Sequence, residues 1–184
     1  MKTIHYFLIV FLGIFSLSSC EKLEELTTIK IPVSSSSYSV EIKNIRVVDA
    51  PNGNYNTFEA VEAIGVRSID GVRENELNNL SHVTKIKSGS GSVTVISDDG
   101  SGSVVEDFVM KSDGVTPDLR ISQCALGVPY TDGIAGYLDK LVTKILSDGD
   151  RNIRVSGKTD VQAGKTLTVK ITLEDIVLYI QVID

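Results

Sequence analysis

The chain has 184 residues, 42% of them hydrophobic, with a formal net charge of −6. That length suits one domain, and the hydrophobic share suffices for a buried core, which excludes wholesale disorder. An acidic chain without a lysine–arginine stripe also lacks the electrostatic footprint of a nucleic-acid binder.

At the N-terminus Lys2 and His5 precede an apolar stretch, 6–15, broken only by Gly13. It is too short for a comfortable membrane span, and its basic start and small-residue end match a secretory signal. The small residues stop at a cysteine, and Leu17-Ser18-Ser19-Cys20 resembles a bacterial lipobox. In that chemistry a thiol accepts a diacylglyceryl group, Leu17 fills an apolar subsite, and Ser18 and Ser19 fit the peptidase. The resemblance implies a lipoprotein signal peptide at 1–19, lipidation of Cys20 with palmitate-type acyl chains, and membrane attachment without a transmembrane helix. The alternative is an ordinary signal peptide with a cysteine near its end. Processing removes Lys2, so 17 basic residues face 24 acidic ones and the net charge becomes −7.

An acidic tether, 20–26, follows. Its Glu21-Lys22-Leu23-Glu24-Glu25 resembles the export signal of Bacteroidota lipoproteins displayed on the outer face of the outer membrane. That likeness gives Glu21, Lys22, Glu24 and Glu25 the role of a cell-surface address. The alternative is a solvated spacer on a periplasm-facing protein.

From residue 27 to 184 the pattern predicts a single, mainly β domain: a two-sheet antiparallel β-sandwich, Ig-like or jelly-roll-like, with one inserted amphipathic helix near 134–146. Tryptophan is absent and Val, Ile and Thr are plentiful, which favours strands. Asp-Gly recurs at 70–71, 99–100, 113–114, 132–133 and 148–149, with Asn-Gly at 52–53. These dipeptides supply the positive φ of tight turns between short strands. In chain order, a first strand spans 27–33, and the serine-rich stretch to 39 reads as a loop. A second strand spans 38–48, and its alternation of Val40, Ile42, Ile45 and Val47 slips near Asn44, which predicts a bulge. The segment 58–69 is ambiguous between helix and strand and reads better as a strand ending at Asp70-Gly71, and 73–80 reads as a weak helical turn. Strands at 92–97 and 103–110 flank 98–102 as a hairpin.

In 134–146 the apolar residues 134, 137, 138, 141, 142, 145 and 146 form a full helical stripe that should pack on a sheet edge or across an open end. Thr131 or Asp132 can cap its start, and Asp148-Gly149 can end it. Three strands close the chain, at 152–156, 166–173 and 176–183. In the middle one, Val169, Ile171 and Leu173 alternate with Thr168, Lys170 and Thr172. No C-terminal secretion or carbohydrate-binding domain is expected after them.

The chemistry-bearing residues are few. The mature chain has one histidine, His82, and one cysteine besides Cys20, namely Cys124; no zinc-type ligand set follows from two isolated residues, and no metal or cofactor is expected. A hydrolase using His82 is formally possible, but no nucleophile elbow accompanies it, and Ser90 in "SGSGS" reads as part of a flexible turn. Cys124 reads as a small buried hydrophobe, with an intermolecular disulfide as the alternative. The stretch 97–102 offers two carboxylates but not the spaced ligands of a calcium loop. Glu106-Asp107 and Glu174-Asp175 should point to opposite faces of their strands and so form no catalytic dyad alone. Tyr137 belongs to the helical stripe. Tyr130, in the turn before it, reads as packed or ligand-facing.

From the helix through Val155-Ser156-Gly157-Lys158-Thr159 to the C-terminus, the chain resembles a recurrent group of Bacteroidota lipoproteins. These combine a lipobox, a β-sandwich, and a closing helix-then-three-strands segment around a Val-x-Gly-x-Thr element. Fimbrillin-type adhesins match it poorly. The resemblance carries no catalytic residue to this chain. The expectation is a lipid-anchored, outer-membrane, surface-exposed module that is not an enzyme, bound to the membrane through Cys20 and meeting a protein or glycan at its loops. The alternative is a sandwich holding an apolar small molecule or lipid.

Overall fold

The computed structural model describes residues 28–32, 37–50, 53–72 and 82–181. Cys20, Glu21, Lys22, Glu24 and Glu25, the helical turn expected at 73–80 and the serine loop at 33–36 lie outside the described residues. Ten strands and one α-helix are present among those described: β1 (Thr28–Pro32), β2 (Ser37–Val48), β3 (Asn56–Ile64), β4 (Val83–Lys87), β5 (Ser90–Ser97), β6 (Val104–Ser112), β7 (Val115–Ala125), α1 (Ala135–Asp148), β8 (Arg151–Thr159), β9 (Thr166–Glu174) and β10 (Val177–Gln181). A seven-stranded antiparallel sheet runs β5-β9-β2-β3-β8-β6-β7, and a three-stranded one runs β1-β10-β4. The expected mainly β, antiparallel sandwich with one helix is the observed architecture.

The seven-stranded sheet turns a corner between β2 and β3, which share only the pairs Val47↔Phe58 and Val48↔Thr57. It therefore folds into two leaves, β5-β9-β2 and β3-β8-β6-β7. The three-stranded sheet repeats the first leaf in the same order, because β1 leads into β2, β4 into β5, and β9 into β10. It is that leaf continued past a crease. Asp175 takes the crease with a φ of 52°, and the Gly89 N–H donates to the Glu174 carbonyl across it at 2.9 Å.

Strand alternation fills the space between the leaves. In β9 Leu167, Val169, Ile171 and Leu173 are buried and the residues between them are not. In β2 the buried set shifts phase between Ile42 and Ile45, where the register slips and Asn44 has a φ of 57°. The expected bulge is there, and asparagine tolerates that backbone better than most residues.

The helix buries Tyr137, Leu138, Leu141, Val142, Ile145 and Leu146, the stripe read from the sequence. It packs chiefly against β4, an edge strand, as expected of a helix on a sheet edge. Gly91 in β5 lets it approach, since a Cβ there would stand 3.1 Å from Leu138 Cδ1 and 3.2 Å from Ala135 Cα. Gly149 ends the helix with a φ of 88°. The start differs from expectation. Ile134 occupies the capping position with no side-chain bond, because it is drawn into the core, and Asp132 stays exposed.

Other expectations are corrected. The glycines of 70–71, 99–100, 113–114, 132–133 and 148–149 all have positive φ, whereas Gly53 does not. Yet 98–102 is no hairpin: β5 pairs with β9, β6 with β7 and β8, and the connection crosses from one leaf to the other. Local turn chemistry fixes a reversal, while burial chooses the partner. The strand expected at 58–69 stops at Ile64, whose partner Arg151 is the first residue of β8. A 3₁₀ turn, Val66–Ser68, then carries Ile69 into the core and Asp70 into a bridge with Ser39. "SGSGS" is no flexible turn, since Ser90–Ser92 lie in β5 and Gly91 seats the helix.

The Val-x-Gly-x-Thr element has a packing role. Gly157 pairs with Phe58 across β3 and β8, and a Cβ on it would stand 2.8 Å from the end of that buried ring. Thr159, fully buried, donates its hydroxyl to the Val104 carbonyl at 2.9 Å and accepts the Val161 N–H at 3.3 Å. Gly157→Ala should cost about 1–3 kcal/mol by overpacking the Phe58 ring. Denaturant unfolding of Gly157→Ala, Phe58→Leu and the double variant measures this, and the double variant should lose less than the sum of the singles.

Candidate functional site

The polar side of α1 and the outer edge of β4 enclose a cleft of about 550 Å³. On the helix Gly136, Asp139, Lys140, Thr143 and Lys144 line it at helical spacing, beside the buried stripe. Thr84 to Lys87 form the opposite wall, with Gly114 and Thr116 at one end.

The walls are tied together by the helix serving as a substitute strand. Thr143 Oγ1 accepts the Ile86 N–H at 2.9 Å, and Asp139 Oδ1 accepts the Ser88 N–H at 3.1 Å and its hydroxyl at 2.6 Å. Thr143 in turn donates to the Asp139 carbonyl at 2.6 Å. Edge N–H groups that would otherwise invite another strand are thereby satisfied. Lys140 and Lys144 line the groove from the helix, and Lys85 and Lys87 belong to its β4 wall, with the Lys85 ammonium turned to the Tyr179 ring at 5.9 Å. The one lining carboxylate is already engaged with Ser88. Lys140 donates to the Thr116 carbonyl at 3.3 Å, and Lys144 pairs with Asp148 at 3.1 Å. Such an arrangement can hold an anionic group.

A second cleft, of about 370 Å³, lies against β6 and β8 and is lined by Tyr55, Thr57, Glu106 and Lys158 among others. Asp107 sits at a bulge with a φ of 51°, where the register slips between Glu106 and Val109. That bulge defeats the expected opposition of Glu106 and Asp107: Glu106 lies across from Lys158, and Asp107 bonds Lys158 at 2.8 Å. The bond and charge of Asp107 lead in raising the Lys158 ammonium above its usual range, with Glu106 adding to them. The Glu106 charge is likewise the main cause raising the Tyr55 phenol.

The remaining expected residues are dispersed. His82 is exposed at the head of β4. Ser90 donates its hydroxyl to Glu174 Oε2 at 2.9 Å. Cys124 is free and only half-buried, because β7 is the outermost strand of its leaf; burial still raises its thiol. Tyr137 donates to the Met110 carbonyl at 3.1 Å inside the core. Tyr130 is half-buried and bridges Val93 of β5 through both backbone groups. Among the described residues no group of three or more His, Cys, Asp or Glu side chains could hold a metal ion. In 97–102, Asp99 Oδ1 instead accepts from Ser97, from the Ser101 N–H and from the Ser101 hydroxyl, and Lys165 pairs with the same carboxylate at 3.0 Å.

The lysine groove was not read from the sequence. Lys85 and Lys87 come from a strand and Lys140 and Lys144 from a helix more than fifty residues later. The only local signals were the i, i+4 spacing of the second pair and the alternation of the first.

No family model matches the chain, and no curated protein does. Among solved structures it is similar to a decameric BFDV capsid protein, at 11% identity and a TM-score of 0.37, over 85% of this chain and 99% of that one.

Beside the second cleft, Asp160 fastens the crossover between leaves. Its carboxylate accepts the Ser103 N–H and hydroxyl, at 2.9 and 2.7 Å, and the Val104 N–H at 3.0 Å. Burial raises this acid, and the bonds from Ser103 and Val104 outweigh it, leaving the group below its usual range. A carboxyl depressed on folding contributes stability that is present above the unfolded value, about 3.9 for Asp, and is lost as pH falls through the folded one. Asp160→Asn should therefore lower the melting temperature near neutrality, and its gap from wild type should narrow in thermal melts as the pH falls below the unfolded value of about 3.9.

Proposed function

We propose that the chain is a lipid-anchored lipoprotein of the cell envelope, held on the outer membrane by acyl chains on Cys20 and displayed at the cell surface, where it acts as a binding or structural module rather than an enzyme. The observation that carries this reading is Leu17-Ser18-Ser19-Cys20 at the end of a signal-like apolar run, with the sandwich beginning eight residues later at Thr28. A module placed there works by presentation: the anchor fixes its location, the acidic tether spaces it, and the surface grooves meet the partner. The lysine groove supplies a contact for an anionic partner group, on a protein or a glycan. An apolar ligand between the leaves is less favoured, because side chains of both leaves and of α1 occupy that space. The clefts described above are surface grooves.

In cells fed an alkyne-bearing palmitate, wild type should take up the label and run shorter than its precursor. Cys20→Ala should take up none and accumulate unprocessed. A Cys20→Ala chain that is still cut would identify an ordinary signal peptide. Protease shaving of intact cells should degrade the protein; protection would place it on the periplasmic side.

A further inference from the structure

We infer that the outer face of the β1-β10-β4 sheet is a lipid-contact surface that seats the domain on phosphate-bearing headgroups; this inference rests on the anchored reading above. The register places Lys30, Tyr179 and Lys85 in one row across the three strands, and Pro32, Val177 and Lys87 in the next. All three lysines are exposed, and neither row contains an acid. The Lys30 and Lys85 ammonium groups stand 5.6 and 5.9 Å from the centre of the Tyr179 ring, one from each neighbouring strand. The nearest carboxylates along these strands are at the crease: Glu174, engaged with Ser90, and Asp175.

The reverse face of the sheet is apolar. Leu178, Ile86 and Val83 are buried, whereas Ile29 and Ile31 of β1 are 52% and 42% exposed. With the lysine–tyrosine row on the headgroups, this apolar face points away from the lipid and takes no part in the contact.

Position selects the occupant. From Cys20 to Thr28 there are eight chain steps, so β1 cannot lie more than about 30 Å from the acylated cysteine. The strand nearest the anchor is thus held within reach of the headgroups. A basic face on a chain of net negative charge turns toward an anionic surface while the rest is repelled by it.

The test uses the acylated protein in vesicles, with Cys124→Ser leaving one reactive thiol at a time: His82→Cys at the head of β4, or Ala163→Cys in the turn before β9. Thr166 and Gln181 lie at opposite ends of the β9–β10 path, which spans up to about 50 Å. Energy transfer from a dye on each cysteine to an acceptor lipid reads the orientation. On phosphatidylcholine vesicles with about one third phosphatidylglycerol, position 82 should transfer several-fold more than position 163, and about 0.5 M salt should abolish the difference. The Lys30→Glu, Lys85→Glu, Lys87→Glu triple variant should stay vesicle-bound through its acyl chains and lose the difference. The salt arm gives the same reading without any substitution. Equal transfer from both positions in wild type, or a difference that survives both salt and the triple variant, overturns the lipid-contact face and leaves the anchor standing. Wild type that fails to float with vesicles overturns the anchored reading and this face with it.

Discussion

The helix lodged in the bend of the sheet is the constraint on which the rest of the molecule depends. Three strands cross the crease together, and the sheet beyond it has only one face partly covered. A three-stranded sheet with a bare apolar face is marginal in water. The helix packs against β4, where Ile86 is buried, and its Thr143 and Asp139 take the edge N–H groups that a fourth strand would have taken. Gly91 makes this approach possible. Without the helix, β4 would lose both its apolar cover and the hydrogen-bond partners on its outer edge, and the groove would have no second wall.

Those same contacts set where charge accumulates. Lysines gather around the outer sheet and the helix edge, at Lys30, Lys85, Lys87, Lys140 and Lys144. Many acids elsewhere are spent on the fold itself: Asp160 ties the crossover, Asp99 closes a turn with Lys165, and Asp148 joins Lys144 to Arg151. The chain is thus acidic in sum, with five of its lysines gathered on β1, β4 and one edge of α1.

Elements whose burial is periodic over many residues were legible in the sequence. The α1 stripe, the alternation in β9 and the phase slip at Asn44 each follow from one segment facing one core. What failed was pairing. The turn at 98–102 has hairpin residues, yet its two strands serve different leaves. Ile134 displaces Asp132 as the capping residue because its burial outweighs a polar cap. Glu106 and Asp107 break alternation because a bulge intervenes, and Cys124 is half-buried because its strand is outermost.

The sequence by itself determined the β class of the domain, the helix and most of its turns, since each is encoded within a run of neighbouring residues. Only the tertiary structure decided which strands pair, that three of them bend together, and that β4 and the polar side of α1 share one groove. The physical reason is that strand pairing and charge clustering join residues distant in the chain. No local periodicity records a contact that burial of a shared core selects.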